Sequence, residues 1–132
     1  MKRHIDVVGA VIVRNGLVLC AQRGRRGSLP GLWEFPGGKI EPDETARQAL
    51  EREIVEELRC VVEVGEEVTT TSHEYDFGVV TLTTFYCRLV DGNPVLTEHE
   101  GIEWLRPDAL DTLPWAPADV PAVKQIQADL AR

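Results

Sequence analysis

The order of elements legible in this chain predicts an α/β (α+β) fold, a sandwich built on a central mixed β-sheet. Three observations carry the prediction. Runs of β-type residues open the chain and resume after one strong helical pattern, and a second helical pattern closes it. The length of 132 residues suits one domain with one core, taken as residues 1–132. Apolar residues make up 43% and charged residues 27%, which fits neither a disordered chain nor a membrane span.

Val7-Val8-Gly9-Ala10-Val11-Ile12-Val13 reads as the first strand. Asn15-Gly16 supplies the strongest short hairpin turn, and Leu17 to Gln22 returns as the second strand. A basic loop from Gly24 to Gly31 follows, with Arg23 just before it. Leu32-Trp33-Glu34-Phe35 is a short strand stopped by Pro36-Gly37-Gly38. The best helix runs from about Thr45 to Leu58. Thr45 and Gln48 fit a capping box, and Ala46, Ala49, Leu50, Ile54 and Leu58 form one apolar stripe. Strands follow near Val61–Val64, Val68–Tyr75 and Val79–Val90, then a turn at Asp91-Gly92-Asn93-Pro94. Ile102 to Leu105 is a further strand, Pro107 to Leu110 starts a helical turn, and a final helix spans Pro117 to Leu130.

The bulk chemistry narrows the function. The net charge of −8 argues against gripping a nucleic-acid backbone. An anionic substrate would have to arrive with a metal ion or meet a local arginine cluster. Cys20, Cys60 and Cys87 are three in number and widely spaced, with no CxxC, so neither a disulfide framework nor a zinc site is expected. The longest apolar run is too short to cross a bilayer, and no secretory signal is visible at the N-terminus. The expectation is a cytoplasmic protein, monomer or homodimer, with no membrane or nucleic-acid partner.

Glu56 and Glu57 lie three and four residues after Glu53, which puts all three on one helix face. Like charges so spaced cost a helix about 0.2–0.5 kcal/mol per pair. A hard divalent cation reverses that cost, since Mg²⁺ takes oxygen ligands and bridges carboxylates to phosphates. For three glutamates alone, a solvated helix face is the plainer explanation. The flanking residues change the balance. Pro36-Gly37-Gly38-Lys39 reads as a tight glycine loop that lets backbone approach a ligand closely, and Arg52 sits where it can orient a carboxylate. Glu44 lies just before the expected N-cap, near the glycines.

Gly38, five residues, Glu44, seven residues, then Arg52-Glu53-Ile54-Val55-Glu56-Glu57 resembles the Nudix box. One position departs from the pattern: Arg59 stands where the box has a glycine that closes the helix in a left-handed conformation. The resemblance implies a Nudix α/β/α sandwich with a catalytic loop-helix-loop, acting on nucleoside diphosphate derivatives. It further implies that Glu53, Glu56 and Glu57 hold Mg²⁺ (or Mn²⁺), helped by the Gly37 and Gly38 backbone. Glu53 or a carboxylate from a later loop would activate water, Arg52 would orient Glu53, and Glu44 would assist the metal site. Glu98 is the preferred loop carboxylate and Glu100 the second choice; for either, a solvated acidic loop is an equal alternative.

Gly31 to Glu41, Ala21-Gln22-Arg23, Glu103-Trp104-Leu105 and Ala116-Pro117-Ala118-Asp119 resemble the MutT branch, whose members cleave nucleoside triphosphates to monophosphate and diphosphate. The residue at the Asp119 position reads the base in that branch. An ionised Asp offers acceptors only; it could take a bond from the exocyclic amine of cytosine, or from the N7–H of 8-oxoguanine, where it would lie near the O6 acceptor. The Pro-Ala-Asp form resembles the CTP/dCTP subgroup, some of which accept 8-oxo-dGTP. A helix-capping role for Asp119 is as well supported. Arg23 is a candidate phosphate contact and Phe35 a candidate base-stacking residue, against plainer readings as a surface arginine and a core aromatic. Tyr75, Phe77 and Trp115 share the ambiguity of Phe35. His4, His73 and His99 show no metal-ligand spacing and receive no role. An ADP-ribose or sugar-nucleotide hydrolase and a non-catalytic nucleotide-binding module are the competing expectations.

Overall fold

A computed structural model of the chain describes residues 2–131. Its elements run β1 (His4–Arg14), β2 (Leu17–Gln22), β3 (Trp33–Glu34), β4 (Gly37–Lys39), α1 (Ala46–Leu58), β5 (Val61–Tyr75), β6 (Gly78–Asp91), β7 (Gly101–Leu105) and α2 (Val120–Asp129). Two 3-10 helices, Pro107–Thr112 and Pro117–Asp119, precede α2. The sheet is mixed: β1 pairs parallel with β6, and every other pair is antiparallel. Strand order is β3-β2-β1-β6-β5, with β7 on β2 and β4 on β1.

β1 explains why the first apolar run has no polar alternation: it is central and covered on both faces. Val8, Ala10 and Ile12 point towards α1 and pack with Leu50, Ile54 and Leu58. Val11 points the other way and packs with Leu110, Val123 and Ile126 beneath α2. The result is the expected helix–sheet–helix sandwich. Full burial of each large aliphatic side chain in these layers contributes about 1.5–3 kcal/mol. The three cysteines are buried and free.

Three expectations need correction. The glycines after Pro36 form not a loop but the strand β4, whose residues Gly37 to Lys39 pair with Val7 to Gly9 of β1. The two strands expected on either side of Gly65 are one long strand, β5, kept continuous by register shifts between Val64 and Thr69. Bulges absorb the extra residues without ending the ladder. The last helix does not begin at Pro117; a 3-10 turn occupies Pro117–Asp119 and the α-helix starts at Val120.

One edge of β1 is divided. Its middle pairs with β4, its end pairs with β2, and between them the Ala10 N–H donates to the Pro36 carbonyl at 2.8 Å. This division sets β4 beside the N-terminal half of the sheet and opposite α1.

Helix α1 begins as predicted. The Gln48 N–H donates to Thr45 Oγ1 at 3.1 Å, and the Thr45 N–H donates to Gln48 Oε1 at 2.9 Å. It ends at Arg59, which itself adopts the left-handed conformation (φ 57°) and donates its N–H to the Val55 carbonyl. A side chain there costs about 1 kcal/mol relative to glycine. Arg59→Gly is therefore expected to stabilise the protein by up to about 1 kcal/mol, read as a higher urea midpoint at unchanged slope. A fall in the midpoint would show that the Arg59 side chain contributes more than its backbone costs.

Candidate active site

Arg52 organises the outer face of α1. Its Nε donates to Glu44 Oε2 at 2.6 Å and its Nη2 to Glu44 Oε1 at 2.9 Å, a bidentate pair. Nη1 reaches Glu53 Oε2 at 3.1 Å and Glu56 Oε1 at 3.2 Å, while Nη2 also donates to the Lys39 carbonyl at 3.1 Å. All the N–H donors of the guanidinium are thus engaged. The bonds from Arg52 hold the Glu44 carboxyl down at about 2. Glu44 also accepts from the Glu41 N–H, so the turn before α1 is fixed to the same arginine.

The glycines of β4 are required by close approach. A Cβ on Gly37 would lie 1.9 Å from the Val8 carbonyl oxygen, and one on Gly38 would lie 2.4 Å from the Glu53 carboxylate. β4 is therefore sandwiched between β1 and the helix carboxylates. The Gly37 N–H donates to Glu57 Oε1 at 3.2 Å.

Glu57 lacks the countercharge that Arg52 gives its neighbours. Burial, with like charges on Glu53, Glu34 and Glu98, pushes its carboxyl up to about 8 against the lowering from His99. Burial, with like charges on Glu56 and Glu98, raises Glu53 as well, against the lowering from Arg52. Among the described residues, no three acidic, His or Cys side chains are already gathered closely enough to enclose a metal ion. The donor chemistry nevertheless fits a hard divalent cation: carboxylate oxygens that repel one another, beside a glycine strand with no side chain in the way. The loop between β6 and β7 brings Glu98 close enough to raise both Glu53 and Glu57, whereas Glu100 pairs with Arg25 at 3.7 Å.

Next to this face lies an open cleft of about 250 Å³. Gly37, Gly38 and Glu57 line it, as do Phe35, Ala118 and Asp119. Apolar residues of β1 and β6 line it too, with Tyr75 and Phe77. Arg23 reaches the cleft from β2's end. It donates to Glu34 Oε1 at 2.6 Å and to the carbonyl and hydroxyl oxygens of Ser28. Phe35 is buried against Trp115, ring centroids 4.6 Å apart, and offers the cleft only part of its surface.

Asp119 does not cap α2; its side chain makes no capping bond there. It is drawn inward, where its Oδ1 accepts the Phe35 N–H at 3.0 Å. The segment before it pairs with β3: Trp33 N–H donates to the Pro114 carbonyl, and Ala116 N–H to the Trp33 carbonyl. The Tyr75 hydroxyl accepts the Ala118 N–H at 2.9 Å. Burial raises the Asp119 carboxyl well above its ordinary value, against the lowering from Phe35. Burial thus favours the protonated form, which carries a donor as well as acceptors.

Two residues given no role by sequence are part of the site. Glu34 is largely buried at the cleft, bonded to Arg23 on one side and to His99 Nε2 at 2.9 Å on the other. Burial raises the Glu34 carboxyl, but its bonds to His99 and Arg23 outweigh that and leave it lowered. One signal for Glu34 was present: a charge between two aromatics in a short strand must face away from their core. His99 had no such signal.

Residues 7–125 match the model of the NUDIX domain family. The chain is similar to a CTP pyrophosphohydrolase from Escherichia coli, 40% identical over 96% of this chain and 93% of that protein. It is 36% identical to an 8-oxo-dGTP diphosphatase from Proteus vulgaris over 76% of this chain and 87% of that one. Among solved structures it resembles a DNA mismatch repair protein MutT (family Nudix hydrolase) from methicillin-resistant Staphylococcus aureus. That structure is 56% identical, with a TM-score of 0.81, covering 98% of this chain and 99% of that one.

The raised carboxyls set a pH dependence. A group whose pKa is higher folded than unfolded stabilises fully below its unfolded value, and that contribution is lost as pH rises through the folded value. For Glu57 the window runs from about 4.5 to about 8. Glu53 and Asp119 act in the same direction. The metal-free protein should lose thermal stability across this window. Mg²⁺ should raise the melting midpoint more at pH 8 than at pH 5, and Glu57→Gln should flatten the decline. A metal-free midpoint that rises steadily from pH 5 to pH 8 would contradict the assignment.

Proposed function

The chain belongs to the NUDIX domain family, and we propose that it is a Mg²⁺-dependent nucleoside triphosphate pyrophosphohydrolase, releasing a nucleoside monophosphate and diphosphate. It is an enzyme of the hydrolase type that defines its relatives. The observation that carries the finer reading is the complete carboxylate face, Glu53, Glu56 and Glu57 with Arg52 and Glu44, beside a cleft lined by both Glu57 and Asp119. In this reading a nucleotide lies with its phosphates against the carboxylates and its base against Asp119.

Glu53, Glu56 and Glu57, with the Gly37 and Gly38 backbone, are the groups that would hold Mg²⁺, with Mn²⁺ as a substitute. When bound, the cation supplies charge neutralisation for the departing diphosphate. Arg52 orients Glu53. Glu53 takes the proton from the attacking water as its oxygen bonds to phosphorus and the phosphoric anhydride bond breaks; Glu98 is the second carboxylate within reach. Glu44 keeps Arg52 in place. Arg23 meets phosphate oxygens, and Phe35 lines the base end.

Asp119 is the proposed base reader. Its Oδ1 is shared with the Phe35 N–H. Ionised, it only accepts, which suits the cytosine amine; with the proton that burial favours, it donates from its hydroxyl and accepts at its carbonyl, as an amide would. That pair fits cytosine, with its amine and ring nitrogen. It also fits 8-oxoguanine, with its N7–H and O6. CTP, dCTP and 8-oxo-dGTP are therefore the substrates to test first.

Diphosphate release from each, with and without Mg²⁺, is the direct assay; turnover of no nucleotide would sink the proposal. Glu53→Gln should reduce kcat by at least about 100-fold with the fold intact by circular dichroism. Asp119→Ala should lower kcat/KM for the preferred base about tenfold or more, and Asp119→Asn, which keeps a donor and an acceptor, by less. Equal kcat/KM in all three proteins would remove Asp119 from base recognition.

A further inference from the structure

His99 is not explained by the metal face or by the base site. Its side chain is 4% exposed and its Nε2 lies 2.9 Å from Glu34 Oε2. Its Nδ1 is buried and meets no partner among the described residues. A buried imidazole normally satisfies both nitrogens. This one makes a single side-chain bond, and that bond goes to a carboxylate at the cleft. The backbone around it is tied down on both sides: Thr97 Oγ1 donates to the Glu57 carbonyl, and the Glu100 N–H donates to the Gln22 carbonyl.

The chain of contacts continues inward. Glu34 Oε2 is taken by His99, so Oε1 is left for Arg23 Nη1 at 2.6 Å. Arg23 Nε and Nη2 are held by Ser28. Three of the five guanidinium N–H donors are thus engaged, which leaves two for phosphate oxygens. Arg23, Ser28 and Glu34 all border the cleft. An arginine has several free torsions, and fixing them in advance removes an entropic cost from ligand binding. A carboxylate gripped at one oxygen can swing; gripped at both, it presents one geometry to the guanidinium.

We propose that His99 is a positioning residue for nucleotide binding: it fixes Glu34, and Glu34 fixes the Arg23 guanidinium that meets the substrate's phosphates. The imidazole needs only a proton on Nε2, so the link holds whether the ring is neutral or charged. The inference rests on the proposed reading of the cleft as a nucleotide site and of Arg23 as its phosphate contact.

The test is calorimetric binding, in Mg²⁺, of a nucleoside triphosphate with a methylene group between its α and β phosphorus atoms, with kcat and KM measured alongside. His99→Gln carries an amide N–H at the Nε2 position and should bind within about twofold of wild type. His99→Asn is one methylene too short to reach Glu34. It should bind about tenfold more weakly, raise KM by the same factor and change kcat by less than about threefold. In an Arg23→Ala background the Gln and Asn variants should bind alike, because the imidazole acts through Arg23. A histidine with a merely structural role would instead lower kcat and stability in both backgrounds. Equal binding by the two variants, or an Asn loss that persists without Arg23, overturns the proposal. If the Asn variant is unfolded, Glu34→Gln removes the charge at the next link and should also bind about tenfold more weakly; wild-type binding there is equally decisive against it. Wild-type protein that binds the analogue but turns over no nucleotide overturns only the catalytic reading. Wild-type protein that fails to bind it overturns both.

Discussion

One guanidinium holds together groups that would otherwise push one another apart. Glu44, Glu53 and Glu56 all bond to Arg52, and Glu41 lies 3.6 Å away. The Lys39 carbonyl takes the remaining donor. Arg52 thus joins three parts of the chain: the turn before α1, the outer face of α1, and the end of β4. A lysine carries three rotatable donors on a point charge, and could not reproduce this planar fork. The like-charge cost of the glutamate face is met locally, except at Glu57, where the carboxyl rises to about 8.

The arrangement works because the sheet leaves room for it. The divided edge of β1 lets β4 lie close beneath the helix carboxylates, and only glycine permits the approach at Gly37 and Gly38. The strand register, the helix cap at Thr45 and the Arg52 network are mutually consistent constraints. The register places β4 beside β1, the cap sets where α1 begins, and Arg52 ties β4 to α1 through the Lys39 carbonyl. Such agreement between local and tertiary preferences is what a chain needs to specify one arrangement.

The cleft beyond β4 depends on longer connections. Asp119 and Phe35 are 84 residues apart, and His99 and Glu34 are 65 apart. Pairing of the Pro114–Ala116 backbone with Trp33 delivers Asp119, and the β6–β7 loop delivers Glu98 and His99 together. The polar contacts of these residues are buried, where an unpaired group costs more than a paired one contributes. That asymmetry keeps Asp119 turned inward to the Phe35 N–H when capping α2 was the alternative.

The sequence by itself determined the elements whose signal is local. Helix α1, its capping box, the Asn15-Gly16 turn and the central β1 follow from spacing and turn chemistry within a few residues of each other. The carboxylate face was legible for the same reason, since three residues on one helix need only the helical period to meet. Even the left-handed position at Arg59 could be read from the pattern. Only the tertiary structure decided the rest. That Gly37 and Gly38 form a strand depends on β1, distant in sequence. That the bulged β5 is continuous depends on β6. That Glu34 and His99 belong to the site depends on two loops meeting over one carboxylate, and no periodicity encodes that contact. Asp119 was singled out in the sequence, but its burial, which raises its carboxyl and favours the protonated form, comes from the packing around it.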